Sequence, residues 1–181
     1  MRSKPMLIVI SGPPGSGKTT LAHQVAQAVG CPAICRDEIK EGMAHATPGF
    51  VPGPGDPLTM RTLATFFDVL GLFAGRGTTV VAEAAFQDRV WRPGLEPLAS
   101  QAEIRIVHCE VDPEVAYQRI TARSASTPSR SVHEDAYHDK ERWVRNHQVF
   151  DRIALDVPTL IVDTTDGYHP GLPEIAAFLR R

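Results

Sequence analysis

The sequence predicts an α/β fold, a parallel sheet with helices on both faces, and three observations predict it. Five short apolar runs recur along the chain, at 6–10, 33–35, 78–82, 104–110 and 160–162. They are continuous rather than alternating, as in strands covered on both sides. Helical periodicity fills the intervals, so strand–helix–strand units with right-handed crossovers follow. The first run also leads straight into Gly12-Pro13-Pro14-Gly15-Ser16-Gly17-Lys18-Thr19-Thr20, a glycine-rich loop between a strand and a helix.

That loop matches G-x-x-x-x-G-K-[ST]. Its glycines let the backbone curl so that successive N–H groups point at phosphate oxygens. Lys18 brings a compact positive charge to the outer phosphates, and the Thr19 hydroxyl suits Mg²⁺. The helix that follows turns its positive dipole end toward the same anion. The whole stretch Gly12–Thr20 is therefore expected to bind a nucleoside triphosphate with Mg²⁺. Leu21, Val25 and Val29 recur every four residues along this helix, and Gly30 ends it.

The stretch 47–57 holds Pro48, Pro52, Pro54 and Pro57 with Gly49, Gly53 and Gly55. It is either a plain surface connection or a substrate-side flap. Asp56-Pro57 then gives an N-cap and a first-turn proline, and Leu63, Phe66, Phe67, Leu70 and Phe73 form one apolar stripe. The third run, 78–82, ends at Glu83. Helix is weakly predicted over 91–97, where Pro93 and Pro97 interrupt it. Asp112-Pro113-Glu114 opens the helix that carries Arg119 and Arg123. Residues 124–130 read as a loop, so 119–131 is a candidate lid. Ser131-x-x-Glu134 is a capping box for a helix reaching about His147, and a last helix spans 173–179.

Acids and arginines at strand ends on one side of such a sheet are where chemistry gathers. Asp37 follows the second strand and could accept a proton from an attacking hydroxyl, or cap the next helix. Glu83 stands where a strand-end acid holds Mg²⁺ directly or through water, or orients a substrate. Lys40 and Phe86, in the segments that carry Asp37 and follow Glu83, join those two acids as candidate substrate contacts. Arg119 and Arg123 share a helix face, and with Arg130 they read either as phosphate-neutralising groups on a lid or as a solvated face. His133, His138 and His147, set among acids, are expected on a solvated face rather than around a metal. No Asn-Lys-x-Asp guanine signature occurs, which favours ATP over GTP.

The chain of 181 residues is expected to form one domain, 1–181, with a sizeable core. Its net charge of −2 and lack of a dense basic run argue against a protein built to grip long nucleic acid. Three cysteines, at 31, 35 and 109, lack the paired spacing of a zinc site and read as reduced thiols. The apolar run near the start is too short for a signal peptide or a membrane span, so a soluble cytoplasmic protein is expected.

Together these residues resemble the small P-loop kinases of the AAA-domain and zeta-toxin-like group, which includes the kinase domain of phage polynucleotide kinase and chloramphenicol phosphotransferase. The resemblance rests on Gly12–Thr20, on Arg36-Asp37-Glu38-Ile39, on the strand ending in Glu83, and on the Arg119/Arg123 helix with the segment 131–143 after it. It implies a P-loop NTPase three-layer sandwich with five strands in the order 2-3-1-4-5. It matches Asp37 to the acid that activates the acceptor hydroxyl, and Arg123 to the lid arginine on the phosphates, with Arg119 beside it. It makes Lys18, Asp37, Arg119 and Arg123 the catalytic set, and adds Thr165, in Asp163-Thr164-Thr165, where adenine passes. Glu83 departs from the usual Asp, which leaves metal coordination or substrate orientation open. The implied activity is ATP-dependent phosphoryl transfer to a hydroxyl of a small molecule, nucleoside or nucleotide. A polynucleotide 5′-hydroxyl kinase and a nucleotide-dependent binding or toxin-like module are the alternatives.

Overall fold

A computed structural model of the chain describes residues 4–53, 55–126 and 139–180. Its centre is a five-stranded parallel sheet of β1 (Met6–Ser11), β2 (Ala33–Cys35), β3 (Val80–Ala84), β4 (Glu103–Glu110) and β5 (Thr159–Asp163). The order is β2-β3-β1-β4-β5, the 2-3-1-4-5 arrangement of the P-loop kinases. Successive side chains of β1 point to opposite faces and so build two cores. Leu7 and Val9 pack with Phe66, Leu70, Trp91 and Leu95, whereas Ile8 and Ile10 pack with Leu21, Val25, Ile175 and Leu179. Each such fully buried aliphatic or phenyl group contributes roughly 1.5–3 kcal/mol.

The helices are α1 (Lys18–Val29), α2 (Arg36–His45), α3 (Pro57–Gly75), α4 (Asp88–Leu95), α5 (Pro113–Ser126), α6 (Lys140–Gln148) and α7 (Leu172–Leu179), with a 3₁₀ turn, Glu96–Ser100, after α4. Gly30 closes α1 in the left-handed conformation. Val29 departs from the expected stripe at 36 % exposure, because the buried face of α1 runs through Leu21, Ala22, Val25 and Ala26 instead. The caps predicted at Asp56 and Asp112 form. Asp56 accepts from the Thr59 N–H at 2.9 Å, and Asp112 Oδ1 accepts from the N–H groups of Glu114 and Val115 at 2.9 and 3.2 Å. Such caps are worth about 1 kcal/mol each.

Four boundaries differ from expectation. β3 begins at Val80 because Thr78 still donates to Phe73 O in the turn that ends α3, and Thr79 Oγ1 accepts from Met6 N. α4 forms despite Pro93, braced by Asp88, which pairs with Arg92 at 2.9 Å and accepts from Ala154 N at 2.8 Å. α6 starts at Lys140 under an Asp139 cap, while the Ser131–Glu134 box, His133, His138 and Arg130 lie outside the described residues. α5 continues as helix to Ser126, into the stretch expected as loop.

By length and apolarity alone, α3 would suffice to cross a membrane. Here its Leu58, Thr62, Phe66, Leu70 and Ala74 edge is buried, against the sheet and α2. A buried ion pair joins α2 to the start of α3: Lys40 Nζ donates to Asp56 Oδ2 at 2.8 Å and to Thr59 Oγ1 at 3.0 Å. The register brings the functional ends level. Ile10 lies beside Glu83 and Val107, Ser11 beside Ala84 and His108, and Cys35 beside Glu83.

Candidate active site

The phosphate loop is built mainly from backbone. Gly12 and Gly15 adopt φ of 150° and 80°. A Cβ at Gly12 would stand 2.5 Å from Cys109 O, and one at Gly15 would stand 2.6 Å from Ala116 O, so β4 and α5 press directly on the loop. Ser16 N donates to Pro13 O at 3.3 Å, and Lys18 Nζ reaches the same carbonyl at 3.3 Å. Gly17 precedes α1 as its N-cap, and its carbonyl accepts from Tyr168 Oη at 3.3 Å.

Outside this loop is a cleft of about 360 Å³ lined by Gly15, Gly17, Thr20, Arg119, Arg123 and Tyr168, among others. Arg119 Nη2 donates to the carbonyls of Thr164 and Thr165 at 2.7 and 3.0 Å, fixing the loop after β5 as one wall. Thr165 is itself engaged: its Oγ1 accepts from Asp112 N at 3.0 Å. The structure thus places Gly15, Gly17 and Thr20 of the loop and Arg119 and Arg123 of α5 around one opening, to which the β5 end contributes Thr164 rather than the predicted Thr165.

On the sheet side, Thr19 Oγ1 donates to Glu83 Oε2 at 3.1 Å, and Lys18 Nζ lies 3.8 Å from Glu83 Oε1. Glu83 is 3 % exposed. Burial pushes its carboxyl above the usual range, against the pull of the Lys18 ammonium, and the Asp37 charge adds to the rise. The Cys35 thiol hydrogen-bonds to Glu83, and burial together with that carboxylate holds the thiol protonated. Thr19 and Glu83 place two hard oxygen donors side by side, next to a carboxylate that gains from additional positive charge. This donor set fits Mg²⁺, which Thr19 and Glu83 would hold.

Asp37 sits in the first turn of α2, not at its cap. The N-cap position is Cys35, which makes no side-chain cap bond, so the capping role expected of Asp37 is absent. An acid in a first turn is favoured by the helix dipole. Arg36 Nη1 donates to Asp37 Oδ1 at 3.0 Å, and the same guanidinium lies 6.0 Å from the centre of the Phe86 ring. Phe86 is partly exposed and meets Phe66 and Trp91 edge-on, at 5.8 and 5.3 Å. Lys40 is buried in its pair with Asp56, facing protein rather than an open cleft.

The expectation of a solvated face for the α6 histidines fails at His147, which is 8 % exposed. It packs on Trp143 at 4.9 Å, and Trp143 packs on Tyr117 at 5.6 Å. Burial pushes the His147 imidazole below its usual range, against a hydrogen bond to Pro14 O in the phosphate loop. Its Nε2 is buried without a partner. The signal in the sequence was the Trp143-x-x-x-His147 spacing, which sets both rings on one helix face. His108, at the end of β4, is also buried, and burial with Arg152 and Lys18 nearby pushes it down to about 4. His23, Cys35 and Glu38 meet at the α1–α2 junction, with His23 Nε2 2.7 Å from Glu38 and 3.8 Å from the thiol. The protonated state of that thiol opposes soft-metal binding there.

Comparison with known proteins agrees with this fold. The family model described as "AAA domain" matches residues 7–152. An uncharacterized protein of Mycobacterium tuberculosis is 29 % identical over 128 residues, covering 65 % of this chain and 26 % of the relative, so the match spans about a quarter of that protein. Among solved structures, a Chloroflexus aurantiacus protein described as a kinase of unstated substrate is similar over 98 % of both chains, with TM-score 0.82 and 21 % identity. The Mycobacterium tuberculosis APS kinase, solved with AMPPNP and APS, is similar over 99 % of this chain and 100 % of its own, with TM-score 0.65 and 14 % identity. A phosphate loop in this setting, a 2-3-1-4-5 sheet and the family match together make the chain a member of the AAA domain family with the fold of a P-loop kinase.

Proposed function

We propose that the protein is an ATP-dependent phosphotransferase of the cytoplasm that moves the γ-phosphoryl group to a hydroxyl of a small molecule, nucleoside or nucleotide. One observation carries this reading. Lys18, Thr19 and Glu83 meet at the sheet edge with the Asp37 charge acting on Glu83, while Arg119 and Arg123 line the cleft on the other side of the loop. Loop N–H groups and Lys18 hold the phosphates. Asp37 takes the proton as the acceptor oxygen bonds to phosphorus and the bond to the ADP oxygen breaks. Arg123, with Arg119 behind it, neutralises the charge that builds on the transferring group. Mg²⁺, when bound, supplies further positive charge at the phosphates. The reading also takes 1–181 as one kinase domain, 119–131 as its lid and 47–57 as a substrate-side flap.

An ATP-consumption screen over nucleosides, nucleoside monophosphates, antibiotics and 5′-hydroxyl oligonucleotides tests it. Asp37→Asn should lower acceptor-dependent turnover by roughly 10²–10⁴-fold and leave ATP affinity in place. Unchanged transfer in that variant would remove Asp37 from the role of base. Acceptor-independent ATP consumption across the screen would sink the transferase reading itself.

A further inference from the structure

Between the phosphate loop, the segment after β3 and α6 there is a second cleft, of about 270 Å³. Its lining includes Pro14, Gln87, Trp143, Asn146, His147 and Phe150, and no charged side chain among the described residues. Pro14 belongs to the loop that carries Lys18, and Gln87 follows Glu83 by four residues, so this space opens beside the phosphate-transfer centre. It is separate from the cleft of Arg119 and Tyr168 on the nucleotide side.

His147 is the unusual wall of this space. Its Nε2 is buried without a hydrogen-bond partner. A buried ring nitrogen of this kind is costly until a partner meets it, as donor or as acceptor according to the tautomer. A substrate hydroxyl, which both donates and accepts, is such a partner. Trp143, partly exposed beside His147, offers a flat face, and Gln87 and Asn146 each offer one amide donor pair and one acceptor. A carboxylate or phosphate entering here would lose water and meet no cation of the lining.

We infer that this cleft seats the phosphoryl acceptor, and that the acceptor is an uncharged, hydroxyl-bearing ring compound, a sugar or a nucleoside, that lies on Trp143 and shares a hydroxyl hydrogen bond with His147 Nε2. The inference rests on the transferase reading for the word acceptor, and on the cleft alone for the chemistry of the ligand.

The test is a titration of the protein, held with AMPPNP and Mg²⁺, by compounds paired for charge. Glucose is set against glucuronate and cytidine against cytidine 5′-monophosphate, within a library of such pairs, and Trp143 fluorescence is the readout. Trp91, the second of the two tryptophans, is fully buried in the core. The uncharged member should bind at least tenfold more tightly than its anionic partner. His147→Phe, which keeps the ring packing and removes the ring nitrogens, should weaken that binding at least tenfold while AMPPNP affinity stays within twofold. Asn146→Lys should shift preference toward the anionic member. Equal or tighter binding of the anions, no binding by any uncharged compound, or neutral binding untouched by His147→Phe would each overturn the inference. Phosphoryl transfer measured in parallel separates the two readings. Neutral binding that depends on His147 without transfer keeps the seat and removes the transferase. Transfer to anions that ignores His147→Phe keeps the transferase and removes the seat.

Discussion

The Thr19 hydroxyl donates to Glu83 Oε2 across 3.1 Å, tying the first turn of α1 to the end of β3. Lys18 approaches the other carboxylate oxygen, so one buried acid organises two residues of the phosphate loop. That acid is held in a poor solvent for its charge.

Glu83→Gln keeps the volume and removes the charge. Acceptor-dependent kcat should fall by about 10²-fold or more, and the Mg²⁺ concentration for half-maximal rate should rise. Thermal unfolding should occur at the same or a higher temperature, because the cost of burying this charge outweighs the pull of Lys18, and a neutral amide does not bear it. Steady-state kinetics and calorimetry on the same preparation check both halves.

The two arginines of α5 should separate in their effects. Arg119 holds the Thr164 and Thr165 carbonyls, so Arg119→Ala should cost about 1–3 kcal/mol in stability and raise the KM for ATP. Arg123→Ala should lower kcat by ~10²-fold or more with a smaller change in nucleotide affinity, since its charge matters most in the transition state. Urea unfolding and a fluorescent ATP analogue distinguish the two patterns.

Gly15→Ala places a methyl group 2.6 Å from Ala116 O at a φ of 80°. The left-handed conformation alone costs about 1–2 kcal/mol, and the contact displaces the loop from α5. ATP-analogue affinity should drop more than tenfold. Gly30→Ala is the matched control: its φ is 78° but nothing lies within 4 Å of the new Cβ. It should lose stability and retain nucleotide affinity.

His108 makes stability depend on pH. Its folded value of about 4 lies below the unfolded value near 6.5, so the unfolded chain binds the proton first as pH falls. The stabilisation is complete above about pH 6.5 and is lost progressively toward pH 4, an effect of about 3 kcal/mol. His147, also lowered, works in the same direction. His108→Leu should flatten the fall in unfolding free energy between pH 6.5 and 4, measured by urea titration. An unchanged slope would show that the folded protein protonates this imidazole freely.

The strands and caps were legible because their causes are local. An apolar run between turn residues needs only its own sequence, and Asp56 and Asp112 cap through N–H groups two or three residues away. The phosphate loop was legible for the same reason. Strand order was not: no periodicity says that β3 lies between β2 and β1, and the resemblance to P-loop kinases supplied it. Lys40 read as a substrate contact, yet its partner Asp56 is sixteen residues away, across a proline-rich loop that carries no pairing signal. His147 was placed in solvent by its charged neighbours, because the docking of α6 against distant segments, α5 among them, buries it. Residues whose surroundings come from distant segments are those the sequence alone leaves unplaced.

The Lys40–Asp56 pair has one more consequence. It fastens the base of the loop between α2 and α3 from below, joining Lys40 inside α2 to Asp56, the last residue of that loop. The loop is then a tethered arch whose span is set elsewhere, and lengthening such an arch costs only slowly growing closure entropy, roughly 0.6 kcal/mol per doubling. Insertions, deletions and reshaped tips at 47–55 should therefore leave the two helices in register. The same frame could carry many different tips over its existing floor.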